Sequence, residues 1–468
     1  MIIPKPKQYT EKGEITIAPH ISSVPELQFC EKAFKRIFKK LYNVNLSKGE
    51  DGFLLKLDTS LAEEEYRIEG REIFASTHIG ARNALASMLQ LVEIEDGKIL
   101  LTDTEISDKP CKEYRAMMVD LARQWHDFSI VLGYVDICYL NKIKYLQIHF
   151  SDDQSSTLPL KCFPNAATVG RSYTHTEIEY LVEYANEASV ELIPEFEGIG
   201  HSQELIKNCP VFGNEYILLT PEQVKEHELD AREDGTIIDN IMCIGKEDIF
   251  DNIKKVLAEM AETFKYSRYI HVGCDEALHW KWDFCPKCQE YMKKNDLEST
   301  AKLYSHFASK IIDICKSVGR KPIVWEGFPK EGNDLISKDA TVVSWENTYQ
   351  PAGDLLEGGF NIINASWKPL YIVERRPWSL IEENFNVYRF DCHLTHSAVY
   401  NGVQFEPTDR IIGAMLCQWE CNYDEEADRI RIDLPVLGDR TWNERDYYTK
   451  DEFLSLYPKI KEMEEKLY

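Results

Sequence analysis

From about residue 110 onward, short apolar runs alternate with longer stretches in which apolar residues recur at helical spacing. The runs fall at 114–121, 145–150, 191–196, 269–274, 322–325, 341–345, 360–365 and 412–418, which makes eight strand candidates. Between them, 130–141 follows Ser129 and 176–188 follows Thr174, both residue types that cap helices. The interval after the third run is long, and the one after the seventh is poorly periodic. Eight repeats of this kind predict a (β/α)8 TIM barrel over 109–468. The first 108 residues have a different rhythm. Strand-like runs at 53–57, 66–68 and 73–75, with helical stretches near 26–42 and 80–93, predict a small α+β domain closed off by Lys109-Pro110. A chain of 468 residues is long enough for two such domains. The charged stretch 450–468 reads as a solvated helix packed on the barrel.

A barrel of this type does its chemistry at the C-terminal ends of its strands. Polar and aromatic residues cluster there: Asp120 and Arg123 after the first run, His149, Asp152 and Asp153 after the second, Glu195, Glu197 and His201 after the third, and Asp275 and Glu276 after the fourth. Trp325 and Glu326, Trp345 and Glu346, Trp367 and Tyr371, and Trp419 and Glu420 follow the other four. Carboxyl groups among indole rings suit carbohydrate, since the acids move protons at a glycosidic oxygen while the rings pack on sugar faces. No phosphate-cradling glycine loop and no Gly-x-Ser-x-Gly elbow is present. His126, His175 and His279 lack a partner pattern and read as packing or surface residues.

Charge and cysteine usage narrow the setting. A net charge of −25 disfavours nucleic acid and anionic lipid as partners, and no apolar segment is long enough to span a bilayer. The first residues lack the apolar run of ~7–15 residues of an export signal, and thirteen scattered cysteines suggest a reducing compartment, so the expected location is cytoplasmic. Cys285-Pro-Lys-Cys288 has half the donors of a zinc site, but no second pair follows at finger-like spacing. Neither a metal nor another cofactor is expected.

Adjacent residues on a strand point to opposite faces, so Asp275 and Glu276 cannot easily flank one bond as the usual acid and nucleophile. One solution gives Glu276 the leaving oxygen and Asp275 a substrate group, such as a 2-acetamide that itself acts as nucleophile. His271-Val-Gly-Cys-Asp275-Glu276 resembles the His-x-Gly-Gly-Asp-Glu signature of glycoside hydrolase family 20, the β-N-acetylhexosaminidases. Arg115 to Arg123, His149-Phe-Ser-Asp152-Asp153-Gln154, Ile193-Pro194-Glu195 with Gly200-His201-Ser202, and the segments 2–4 and 80–91 are similar to other parts of that family and its accessory domain. The resemblance implies Glu276 as general acid/base, Asp275 orienting the acetamide, and Asp152 with His201 as a relay beneath Glu276. It implies that Arg115 grips sugar hydroxyls, with His149 and Glu420 also facing the sugar. Tyr371 would bond the acetamide oxygen, while Trp325, Trp345 and Trp419 wall the pocket. The implied reaction is exo-acting, retaining and substrate-assisted, on a terminal β-linked N-acetylglucosamine or N-acetylgalactosamine.

The sequence departs from the family pattern at named positions. Cys274 replaces the second glycine of the signature, and Gln147 replaces a histidine. Tyr371-Ile-Val373 and Trp419-Glu-Cys421 lack the carboxylates of the family's Tyr-x-Asp and Trp-x-Glu, which would bond hydroxyls at carbons 4 and 6. Losing such acceptors redirects recognition there. Arg375 and Arg376 suit an anionic substituent at carbon 6. Alternatives are a catalytically silent sugar-binding barrel, or a two-carboxylate glycosidase with Glu326 or Glu346 opposite Glu276. The stretches 159–171 and 210–245 are expected to shape the mouth.

Overall fold

The computed structural model describes residues 1–213, 240–347, 349–374, 394–395, 403–443 and 448–467. The eight expected strands form and close. We number them β1 (Tyr114–Asp120), β2 (Tyr145–His149), β3 (Glu191–Gly198), β4 (Tyr269–Gly273), β5 (Lys321–Trp325), β6 (Thr341–Ser344), β7 (Asn361–Asn364) and β8 (Ile411–Gln418). Each pairs in parallel with the next, and β8 returns to β1 with Met415 opposite Ala116, so no edge is left open. The result is a (β/α)8 barrel.

Local chemistry explains the longest helices. Thr174 caps His175–Glu187 in a reciprocal box with Glu177, as its residue type leads one to expect. Helix Phe128–Leu140 begins earlier than the pattern suggests: Asp127 takes the capping position and Ser129 lies within the first turn. Ile249–Thr263, Thr300–Ser317 and Tyr423–Trp442 complete most of the outer ring. Helix Lys450–Glu465 packs on Tyr423–Trp442, burying Phe453, Ile460 and Met463. No described helix is long and apolar enough to cross a membrane.

Inside the barrel, side chains stack in layers. Tyr114, Tyr145 and Tyr269 plug the N-terminal end, the first two stacked with ring centroids 4.6 Å apart. Met118, Ile193, Ile323, Val343, Ile363 and Met415 fill the middle, and Trp325, Trp345, Tyr371 and Trp419 cover the other end.

Residues 8–108 hold a separate mixed sheet, with Gln8–Ile17 and Lys98–Asp108 as its long antiparallel pair. Its helix His78–Leu91 is buried from Gly80 to Leu91 and lies between this sheet and the barrel helix Phe128–Leu140. A helix contacted on all sides is held by packing, so polar residues within it need partners. Arg82 bonds Asn83 and the Ile143 carbonyl, and Gln90 accepts from the Ile3 amide.

Candidate active site

The C-terminal ends of β1 to β4 bring one continuous set of polar groups together. Asp120, at the end of β1, accepts hydrogen bonds from the amides of Ala122 and Arg123, folding the chain so that Arg123 turns back over the barrel. Arg123 then lies 2.7 Å from Asp152 and 3.1 Å from Glu420, with its guanidinium 4.9 Å above the Trp419 ring. Asp152 also accepts from His149 Nε2 at 2.9 Å, and its other oxygen lies 3.3 Å from His201 Nδ1. The far nitrogen of that imidazole, Nε2, is 3.1 Å from Glu276 Oε2 and 3.9 Å from Asp275 Oδ2. Asp152, His201 and Glu276 thus form a chain from the barrel interior to a half-exposed carboxyl, with Asp275 alongside.

The electrostatics follow from this geometry. Burial works against charge on Asp152, yet His201, His149 and Arg123 outweigh it and hold the carboxyl well below the usual range. The same carboxylate, with help from Glu276, raises His201 despite its burial. The hydrogen bond from His201 lowers Glu276 against the effect of its own burial. In the free site the proton of this pair therefore rests on His201. Asp275, buried and beside Glu276, is pushed up to about 6. Its Oδ1 is buried and has no hydrogen-bond donor among the described residues.

The backbone here is strained. Ile199, His201, Cys274, Glu276, Asn347 and Glu420 all have positive φ, a conformation costly for side chains with a Cβ and concentrated at sites where function over-determines the chain. Cys274, in the place of the family's second glycine, sits at φ 72°. Gly273 cannot be replaced so simply, because a Cβ there would lie 2.5 Å from the Glu197 carboxylate.

The aromatic residues gather as expected. Trp345 and Tyr371 stack with centroids 5.8 Å apart at 6°, Trp367 and Trp419 contact Tyr371, and Trp325 lies 5.8 Å from Trp419. Tyr371 reaches this bowl because Tyr371–Ile372 adds to the end of β8. Trp325 donates its indole N–H to Glu195 at 2.5 Å.

Three expectations are corrected. Arg115 is the second residue of β1, at the opposite end of the barrel from Glu276. It is wholly buried, donating to the Lys142 and Lys112 carbonyls and to Glu64, so it grips no sugar there. His149 is also buried, between Asp152 and Glu195 and edge-on to Trp419. Burial is more than offset by Glu195 and Asp152, which raise it to about 10, so it supports Asp152 instead of facing solvent. Glu326 is no nucleophile: it is buried, and its oxygens accept from the amides of Trp345, Asn347 and Gln350. Arg375 and Arg376, and most of 210–245, lie outside the described residues.

Two residues at the site had been given no role there. Arg123 carries the charge that had been given to Arg115, and its place just past the end of β1 was the available signal. Tyr349 donates to Glu276 Oε1 at 2.9 Å from the loop after β6, where neither motif nor periodicity marks it. Several of these residues also form acid–histidine clusters compact enough for a cation. Both His201 nitrogens face carboxylates, and Glu195 and Asp152 raise His149 despite its burial.

Comparison with known proteins places this geometry. The β-hexosaminidase of Vibrio furnissii is 27% identical over 340 residues, covering 68% of this chain and 52% of its own length. That of Porphyromonas gingivalis is 26% identical over 315 residues, covering 63% and 38%. The chain thus spans about half the length of these curated relatives, or less. Among solved structures, an exo-β-N-acetylglucosaminidase from Vibrio harveyi in complex with N-acetylglucosamine superposes with a TM-score of 0.83 at 20% identity, covering 100% of this chain and 78% of that one. A model described as glycosyl hydrolase family 20, catalytic domain, matches residues 113–437, and this chain belongs to that family.

Proposed function

We propose that the chain is an exo-acting β-N-acetylhexosaminidase that hydrolyses terminal β-linked N-acetylglucosamine or N-acetylgalactosamine with retention, using the substrate's acetamide as nucleophile. One observation carries this reading: oxygens of Asp275 and Glu276 and one nitrogen of His201 lie within 4.8 Å of one another. Two carboxylates that share one histidine stand on the same side of a substrate, whereas a retaining pair must flank the bond at about 5–5.5 Å. Glu326 is tied to backbone amides, which supports giving the nucleophile's part to the substrate.

The steps follow from the residues. The proton resting on His201 is passed 3.1 Å to Glu276, which delivers it to the glycosidic oxygen. The acetamide carbonyl oxygen forms a bond to the anomeric carbon as the glycosidic bond breaks. Asp275 Oδ1, without a protein donor among the described residues, accepts the acetamide N–H and offsets the positive charge of the oxazolinium. Water, giving a proton to Glu276, then opens the ring from the face that the leaving group left. Asp152 keeps His201 oriented and draws the proton back from Glu276 to His201 when the cycle closes. Tyr371, Trp345 and Trp419 enclose the acetamide, and Arg123 with Glu420 contacts the sugar hydroxyls in place of Arg115. Glu420 points a half-exposed carboxylate into the mouth from a positive-φ position, which supports a shifted replacement for the family's missing acceptor. Recognition near carbons 4 and 6 is accordingly altered. A reducing, cytoplasmic setting accompanies this reading, supported by free thiols that are mostly buried.

The test is turnover of 4-methylumbelliferyl β-N-acetylglucosaminide and its galacto epimer, with and without a thiazoline mimic of the oxazoline. Hydrolysis blocked by the thiazoline is expected. Equal cleavage of the corresponding glucoside, which has no acetamide, overturns substrate assistance.

A further inference from the structure

Away from the mouth, three buried thiols converge. Cys285 is the N-cap of helix Pro286–Lys294 and Cys288 lies in its first turn. Cys243 meets them from the segment leading to helix Ile249–Thr263, its sulfur 3.9 Å from that of Cys285 and 3.7 Å from that of Cys288. All three sulfurs lie within 4.8 Å of one another, and none of the three residues is exposed.

These separations distinguish between chemistries. A disulfide needs about 2.05 Å, so the sulfurs are not poised as a bonded pair. Sulfurs bound tetrahedrally at about 2.3 Å from zinc lie about 3.8 Å apart, which is what the two distances to Cys243 show. Backbone amides reach two of the three sulfurs. The amide of Cys288 donates to the Cys285 sulfur at 3.5 Å, joined by that of Lys287, and the Gly245 amide approaches the Cys243 sulfur. The two turns are pressed together at Gly245, where a Cβ would lie 2.5 Å from the Lys287 carbonyl carbon.

We propose that Cys243, Cys285 and Cys288 bind one zinc ion as a structural clip, a water molecule or other non-cysteine donor completing the tetrahedron. The second half of the site escapes a search at finger-like spacing because Cys243 lies 42 residues before Cys285. The clip has a clear load. Asn240 donates to Asp153 at 3.3 Å and accepts at its carbonyl from Ser202, next to His201. The Met242 amide donates to the Ile199 carbonyl, and Trp282 donates to that of Met242. Fixing Cys243 to the helix at Cys285 therefore holds the wall against which His201 and Asp153 rest.

Elemental analysis of the whole chain, purified under reducing conditions without chelator, tests this. About one zinc per chain is expected, falling to background in Cys243→Ser and unchanged in Cys209→Ser, a buried cysteine outside the cluster. Chelation should lower the melting temperature of the wild type, and zinc should restore it. Cobalt added to the zinc-free wild type should give the thiolate charge-transfer absorption of a tetrahedral sulfur-rich site, a readout that stands even if Cys243→Ser does not fold. Reduced wild type that carries no zinc, takes up no cobalt and is unaffected by chelator overturns the proposal, as does a Cys243→Ser protein that retains the metal.

Discussion

At the N-terminal end of the barrel, Arg115 directs its donors to the Lys142 and Lys112 carbonyls and to Glu64, and Lys144 bonds the other Glu64 oxygen at 2.7 Å. Lys142 beside them bonds Tyr66 and lies 3.7 Å from Asp108, under the Trp442 ring. At the C-terminal end, Arg123 is largely but not wholly buried, paired with Asp152 and Glu420, and the acids around it outnumber the bases: Asp120, Asp152, Asp153, Glu195, Glu197, Asp275, Glu276 and Glu420 against Arg123, His149, His201 and His271. Positive φ at the lower end falls on Lys142 and Ser189, just after helices, where left-handed residues are an ordinary stop. At the upper end it falls on His201 and Glu276 themselves. The same residue types thus join two sheets at one end and hold unneutralised acid at the other. Paired charges stabilise, while carboxyls in excess remain available to a substrate.

The largest effect separating the two ends is expected from Glu276→Gln, which should reduce turnover of an unactivated disaccharide by about 10²–10⁴-fold while leaving N-acetylglucosamine binding measurable. Near-wild-type turnover would remove Glu276 from the chemistry. Arg115→Ala should act the other way round. Taking one of its two cations from the largely buried Glu64, and leaving it Lys144 alone, should destabilise the fold by up to about 3–5 kcal/mol in urea unfolding, with KM of the folded protein unchanged. A raised KM without loss of stability would return Arg115 to the sugar.

Arg123→Ala should lower kcat/KM about 10–100-fold, as expected for hydrogen bonds to a charged group, if it contacts sugar as proposed as well as Asp152. The pH profile sharpens the contrast further. The proposed reaction needs Asp275 as a carboxylate, and it is raised to about 6, so kcat/KM should fall as pH drops below that value, and Asp275→Asn should abolish this limb along with most activity. At the lower end, Glu64 is desolvated, but Arg115 and Lys144 hold it down to about 2. Its folded value is depressed, so the stability it contributes is fully present above its unfolded value near 4.5 and is lost as pH falls toward 2. Acid should therefore silence the mouth before it loosens the joint, which parallel activity and circular-dichroism titrations would check. Smallest of all, Tyr349→Phe removes one of the donors to Glu276 and should change kcat by about 2- to 10-fold, with the melting temperature unaltered.

Arg115 and Arg123 show how far motif and periodicity reach. Both stand in the segment that resembles the family's first barrel strand, but only Arg123 lies at the mouth. Strand rise decides between them: five residues from Arg115 to Asp120, at about 3.3 Å each, put Arg115 roughly 16 Å below the mouth. Asp275, Glu276 and His201 were legible because they lie just past strand ends, where barrel geometry leaves little freedom. Tyr349 was not, since a loop residue's reach depends on how Glu326 gathers the amides of Trp345, Asn347 and Gln350.

Strand number, strand order and the roster of acids and indoles at the strand ends were written in the chain, because the period of apolar residues encodes which face of each element is buried. Which charges neutralise one another, which stay free, and which cysteines of the described residues meet were left to folding. Those properties depend on distances of 3–4 Å between residues tens to hundreds of positions apart, and no local pattern carries such distances.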